Sequence, residues 1–327
     1  MNARRRLLLL PCAWCLATAT GAQPQARLRR IGILGNARPL AMATSPLQTF
    51  VDALRELGWT EGRTVSFEYR WAEQRYERFA ELARELVAIE PDLIVVTSGV
   101  TAALATKQAT TRIPILAVAI ADPVKFGLVA SLAHPGGNVT GLMQPLPDWG
   151  KFLELAREAV PGATRIAVIG NPTNVVYPDY AAGNEAAAHR LGLKLQMIAV
   201  AQRDQLASAF EAMVATRAEV LVFGPDSVFI NAIGEILERA RALKLPVIGP
   251  TRPAAEQGAV VAYSADIHPV FRQAAAYADR LLRGARPADL PIEQATRFEL
   301  TINLKAARAL GLTIPQSLLL RADAVIE

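Results

Sequence analysis

Cysteine is almost missing. Two of the 327 residues are cysteine, and both, Cys12 and Cys15, fall within the first 22. From Gln23 onward there is no thiol, which excludes a disulfide framework and a thiolate metal centre there. Histidine is nearly as scarce, with His134, His189 and His268 the full set. His189 falls on an expected helix and the other two precede Pro135 and Pro269, so all three read as surface or capping residues rather than catalytic ones. Charge of one sign is in little excess. The formal net charge is +5, and losing the three arginines Arg4, Arg5 and Arg6 would leave +2, which provides no electrostatic footprint for nucleic acid. Also missing are a glycine-rich phosphate loop ending in Lys-Ser or Lys-Thr, Gly-x-Gly-x-x-Gly after the first strand, His-Glu-x-x-His and Gly-x-Ser-x-Gly. Nucleotide, metalloprotease and α/β-hydrolase readings lose their main support. The chain is therefore expected not to be an enzyme, with no catalytic residue, no metal and no cofactor.

Long hydrophobic runs are also few. Arg4–Arg6 precede an apolar stretch from Leu7 to about Ala19, and Thr20-Gly21-Ala22 supplies small residues. Pro11 interrupts the stretch, which is shorter than the roughly 20 residues a membrane span needs. Residues 1–22 read as a secretory signal peptide cleaved near Ala22. Neither Cys12 nor Cys15 has the neighbours of a lipidation site. A soluble, exported protein of a periplasm-type compartment is expected.

What remains is 52% hydrophobic and 20% charged, a globular composition in a chain long enough for two cores. Short apolar runs alternate with helical stripes. Ile31–Leu34 reads as a strand, and Leu47, Phe50, Val51, Leu54 and Leu57 line a helix that Gly58 stops. Val65, Phe67 and Tyr69 alternate as a strand; Leu93–Val96 and Ile115–Val118 flank a helix at Val100–Ala109. The rhythm restarts with a helix at Lys151–Ala159, strands at Ile166–Ile169, Leu195–Val200, Val220–Phe223, Val247-Ile248 and Val260–Tyr263, and helices between them. Pro269–Leu282, Phe298–Ile302 and Leu304–Leu310 add a helix, a strand and a last helical turn or two. This is βαβ order, which implies parallel sheets covered on both faces. The fold class is α/β, with two doubly wound Rossmann-like lobes joined by a multi-strand hinge. The turn-rich segment Pro135–Gly141 is the expected seam.

In open parallel sheets ligands bind beyond the carboxyl ends of the strands. Those ends are small and polar in both halves: Gly35-Asn36, Thr97-Ser98-Gly99-Val100-Thr101, Ala121-Asp122, Gly170-Asn171 and Gly224-Pro225-Asp226-Ser227. Amide groups at a helix start favour a carboxylate, so Thr97, Ser98, Gly99 and Thr101 are candidates for that group. Asp122 or Asp226 could oppose a ligand ammonium, with Asn36, Asn171 and Ser227 adding hydrogen bonds. Thr97, Ser98 and Asp226 also suit helix N-caps, and Asp122-Pro123 and Asn171-Pro172 suit ordinary turns. Trp71 and Tyr177 could stack on a flat ligand or serve as core or surface residues.

Several stretches resemble ABC-transporter substrate-binding proteins, the periplasmic components related to tryptophan-type binding proteins. They are Leu57–Arg63, Tyr69–Ala72, Asp122–Val124, Ser131–Gly141, and Phe298–Leu300 through Leu310–Pro315. The resemblance implies the type I periplasmic-binding fold and capture of a small polar solute, an amino acid or related compound, between the lobes. It further implies a monomer that delivers its solute to an ABC permease driven by a separate ATPase and touches the membrane only through that permease. By the same resemblance, the lobes comprise residues 28–142 with 264–290 and 143–263 with 291–327. An exported module that presents solute to a receptor would use the same lobes.

Overall fold

Apolar residues alternate in their destinations along the central strands. In a computed structural model that describes residues 27–36, 42–144, 148–294 and 298–327, Ile31 and Ile33 enter one buried cluster and Leu34 another. Leu93 and Val95 separate in the same way from Ile94 and Val96, as do Leu116 and Val118 from Ile115 and Ala117. A strand whose two side-chain rows are both buried needs a layer on each face. Each fully buried Ile or Leu contributes roughly 1.5–3 kcal/mol. The expected leader, residues 1–22, lies outside the described residues.

The first sheet contains β1 (Arg29–Gly35), β2 (Val65–Trp71), β3 (Leu93–Val96), β4 (Ile115–Ile120) and β5 (Val139–Met143). A late strand, β11 (Glu293–Gln294), joins its edge, giving the order β11-β5-β4-β3-β1-β2, all parallel. The second sheet contains β6 (Arg165–Gly170), β7 (Lys194–Ala199), β8 (Val220–Phe223), β9 (Val247–Gly249), β10 (Val261–Ala265), β12 (Phe298–Asn303) and β13 (Ala324–Ile326). Its order is β13-β12-β10-β9-β8-β6-β7. β12 runs antiparallel to β10, a departure from the all-parallel expectation, and β13 is parallel to β12.

The helix His268–Leu282 follows a strand of the second sheet yet packs on the first. Its Val270, Phe271 and Ala274 share a cluster with Ile31, Ile33, Leu47 and Phe50. The chain therefore crosses between lobes after Met143, between Ala265 and His268, and between Gln294 and Phe298. These points lie one to a few residues later than the expected boundaries 142/143, 263/264 and 290/291. The expected seam at Pro135–Gly141 is also displaced, because Val139–Gly141 belong to β5 inside the first sheet. Close backbone approach misled that reading. A Cβ on Gly141 would lie 1.9 Å from the Ala117 carbonyl oxygen, so the glycine is there for a strand contact and not for a turn. Farther along β4, Ala119 takes φ +57° where the β4–β5 register shifts between Val118 and Ile120, an irregularity in the ladder.

Candidate functional site

Both lobes use a strand-ending glycine to seat an aromatic ring at the cleft. A Cβ on Gly35 would lie 2.2 Å from Cζ3 of Trp71, and Trp71 stacks on Tyr69 with centroids 5.7 Å apart. In the second lobe a Cβ on Gly170 would meet Tyr177 at 2.6 Å and Tyr180 at 3.0 Å. Trp149 meets Tyr180 edge-on at 4.9 Å, and the Tyr180 phenol donates to the Ile169 carbonyl. Between these walls lies a cavity of about 770 Å³, lined also by Asn36, Thr97, Ser98, Gly99, Asn171, Asp226 and Ser227. That volume is typical of a small-molecule site.

Asp226 is the chemical centre. It caps the short helix Ser227–Ile230, its Oδ1 accepting from the Val228 amide at 2.8 Å and from Asn171 Nδ2 at 3.3 Å. Oδ2 accepts from Asn174 Nδ2 at 2.8 Å and the Tyr76 phenol at 3.2 Å. All four donors are neutral, and no cation pairs with this carboxylate among the described residues. Burial pushes its pKa up, against the hydrogen bonds from Asn174, the Val228 amide, Asn171 and Tyr76. Burial and the neighbouring Asp226 charge push the Tyr76 phenol well up as well.

The other sequence candidates divide into three groups. Asn36 donates its Nδ2 to Ser227 Oγ at 2.8 Å across the cleft. Its buried Oδ1 has no hydrogen-bond donor among the described residues. Ser98 is not the cap its sequence suggests: at the start of the helix Gly99–Ala109 its Oγ accepts the Asn36 amide at 2.5 Å and makes no capping bond. Thr97 Oγ1 donates to the Leu34 carbonyl at 3.3 Å, and Gly99 takes φ +69°. Asn171 braces its own loop, accepting from Thr173 N at 3.0 Å and Thr173 Oγ1 at 2.7 Å. Thr101 is part of the lobe contact, not of the cavity lining: its Oγ1 accepts the Val175 amide at 3.2 Å and bonds Asn174 Oδ1 at 3.5 Å.

Asp122 stands apart. It is exposed, absent from the cavity lining, and its carboxylate accepts the Lys125 amide at 3.0 Å. The turn reading is the correct one for this residue, because the loop after β4 bends its side chain back on its own backbone. Tyr76, Asn174, Trp149 and Tyr180 were not among the candidates. Asn174 had a usable signal, standing three residues after Asn171 in the same loop. Tyr76 had none, since it lies in a single turn after β2, whose end carries none of the small polar residues that mark the other strand ends.

No group of three or more His, Cys, Asp or Glu positioned for a metal occurs among the described residues, and no helix there is long and apolar enough to cross a membrane. A cavity between two such lobes, with aromatic walls and a buried carboxylate held by neutral donors, defines a solute-binding protein of the type I periplasmic-binding fold. The family model for ABC transporter substrate binding proteins matches residues 43–326, and the chain belongs to that family, whose members bind solutes and are not enzymes. A tyrosine-binding protein of Clostridioides difficile is 27% identical over 270 residues, covering 80% of this chain and 75% of that protein. Among solved structures, a conserved domain protein of Vibrio cholerae superposes with a TM-score of 0.83 at 29% identity, covering 91% of this chain and 100% of that one. An ABC domain from Streptococcus pneumonia in complex with L-Trp gives 0.81 at 25% identity, with the same coverage.

Proposed function

We propose that this chain is the exported, solute-capturing component of an ABC importer and that its solute is an amino acid with a flat aromatic side chain. The observation that carries the reading is Asp226, a buried carboxylate surrounded by neutral donors in a cavity walled by Trp71, Tyr177 and Tyr180. A solute ammonium would supply the counter-charge, and the free Oδ1 of Asn36 would accept a second of its protons. The solute carboxylate would take the first amides of the helix Gly99–Ala109 beside Ser98, where the dipole favours an anion. Rings of Trp71 and Tyr177 offer faces for stacking. Relatives that bind tyrosine and L-Trp support the aromatic preference. Closure would expel water and strengthen these contacts, and the closed form would be handed to a permease driven by a separate ATPase. The protein would do this as a periplasmic monomer after cleavage near Ala22.

Calorimetry with L-tryptophan, L-tyrosine, L-phenylalanine, L-leucine and L-glutamate tests the proposal. Saturable binding of at least one aromatic amino acid, tighter than leucine and glutamate, is the expected result. Absence of binding for all three aromatic amino acids would overturn it.

A further inference from the structure

We infer that Tyr76 is a positioning residue of the solute site, whose phenol crosses from the first lobe to the second and holds the cleft shut. The inference rests on the functional reading above for the identity of the solute, but not for the geometry. Tyr76 is buried, and its ring packs on Phe79 with centroids 5.2 Å apart. Its Oη lies 2.7 Å from Ser227 Oγ and 3.2 Å from Asp226 Oδ2, both in the opposite lobe. Asn36 reaches the same Ser227 hydroxyl with its Nδ2 at 2.8 Å. The direction of every bond in this chain is fixed by its ends. Asn36 Nδ2 can only donate and the Asp226 carboxylate can only accept, so Ser227 donates to Tyr76 and Tyr76 donates to Asp226. Four groups thus form one relay that passes three times between the lobes, and each bond polarises the next.

The backbone serves the same end. Glu73 and Gln74 both adopt left-handed conformations, φ +54° and +65°, which L-residues rarely take. The same segment is pinned to the strand end beside it, with Ala72 N bonded to the Gly35 carbonyl and Gln74 N to the Asn36 carbonyl, each at 3.0 Å. The loop that carries Tyr76 and the residue that shares its target are therefore positioned together. Other bonds between the lobes, Thr101 to Val175 and Lys125 to Asp179, are part-buried or exposed. The Tyr76–Asp226 bond is buried, where loss of a partner is felt most. These are protein–protein contacts and contribute to closure whichever solute is held.

Tyr76→Phe keeps the ring on Phe79 and removes only the hydroxyl; Ser227→Ala removes the partner. Stopped-flow fluorescence with L-tyrosine, using the cavity residues Trp71 and Trp149 as reporters, should show dissociation about three- to tenfold faster in either variant, with association changed less than twofold. The double variant should be no faster than the faster single one. A second arm needs no solute. Because the chain after residue 22 lacks thiols, labels on Glu81→Cys and Glu211→Cys, both exposed and one on each lobe, report interlobe distance. The closed fraction of the solute-free protein should fall in each variant. If the wild type binds no aromatic amino acid, the functional reading fails while this arm still decides the latch. Distance distributions that coincide with the wild type, or single-variant effects that multiply in the double variant, would overturn the latch.

Discussion

Asp226 and Asp122 carry the same carboxylate in opposite settings. One is buried under four neutral donors at the cavity, and the other is exposed on its own turn. Asp226→Asn should weaken binding of an aromatic amino acid by about 1.5–3 kcal/mol, the range for a charged hydrogen bond, in calorimetry. Asp122→Ala should leave the affinity unchanged within error, because its carboxylate reaches only the Lys125 amide. The sequence showed both residues at strand ends and could not rank them, since an Asp before Pro and an Asp at an N-cap look alike until the loop's path is known. Asn36, Ser98, Asn171 and Ser227 were legible for the same reason that Asp226 was: strand ends in parallel sheets converge. Tyr76 was not legible, because its role depends on two consecutive left-handed residues that no local residue pattern announces.

At the scale of elements, β5 marks where composition misleads. Pro135, Gly136, Gly137 and Gly141 read as a linker, yet Gly141 is pressed against Ala117 within a sheet. Gly141→Ala should destabilise the first lobe by at least about 1–3 kcal/mol in urea denaturation, since the added methyl meets backbone that cannot rotate away. A midpoint unchanged from wild type would contradict this placement. The helices and inner strands followed their apolar periodicity closely. The strand expected at Phe298–Ile302 is β12, but its antiparallel pairing with β10 departs from the parallel expectation, because the direction of a strand depends on the route of the chain between lobes rather than on its own residues.

Strand starts are tied down by carboxylates. Glu219 accepts the amides of Thr164 at 2.7 Å and Arg165 at 2.9 Å and pairs with the Arg165 guanidinium, which together lower its pKa. Asp92, although burial opposes it, is lowered by the Arg30 amide and the Arg29 guanidinium. Carboxyls depressed in the folded state contribute stability above their unfolded values near 4 and lose it as pH falls through the depressed folded values. Thermal stability should therefore decline in acid. Glu219→Gln should flatten that decline, which differential scanning calorimetry across pH would show.

For the whole molecule, the pH dependence of binding has its own sign. Asp226 lies above the ordinary carboxylate range in the folded protein, so its ionised form is disfavoured by burial and its contribution to stability decreases as pH rises through that interval. An incoming ammonium favours the ionised form. Affinity should therefore fall as pH drops through the raised value, and Asp226→Asn should remove that dependence. Two similarly wound lobes are joined by three crossings, and a buried apolar cluster running from Leu34 and Phe79 to Phe223 and Phe229 is shared between them.

The most direct test of recognition at Asp226 is a calorimetric comparison of L-tryptophan with indole-3-propionate, which keeps the ring and carboxylate and lacks the ammonium. Saturable binding of tryptophan with the analogue at least tenfold weaker is the expected outcome. Equal affinity for the two compounds would contradict pairing between the solute ammonium and the buried carboxylate.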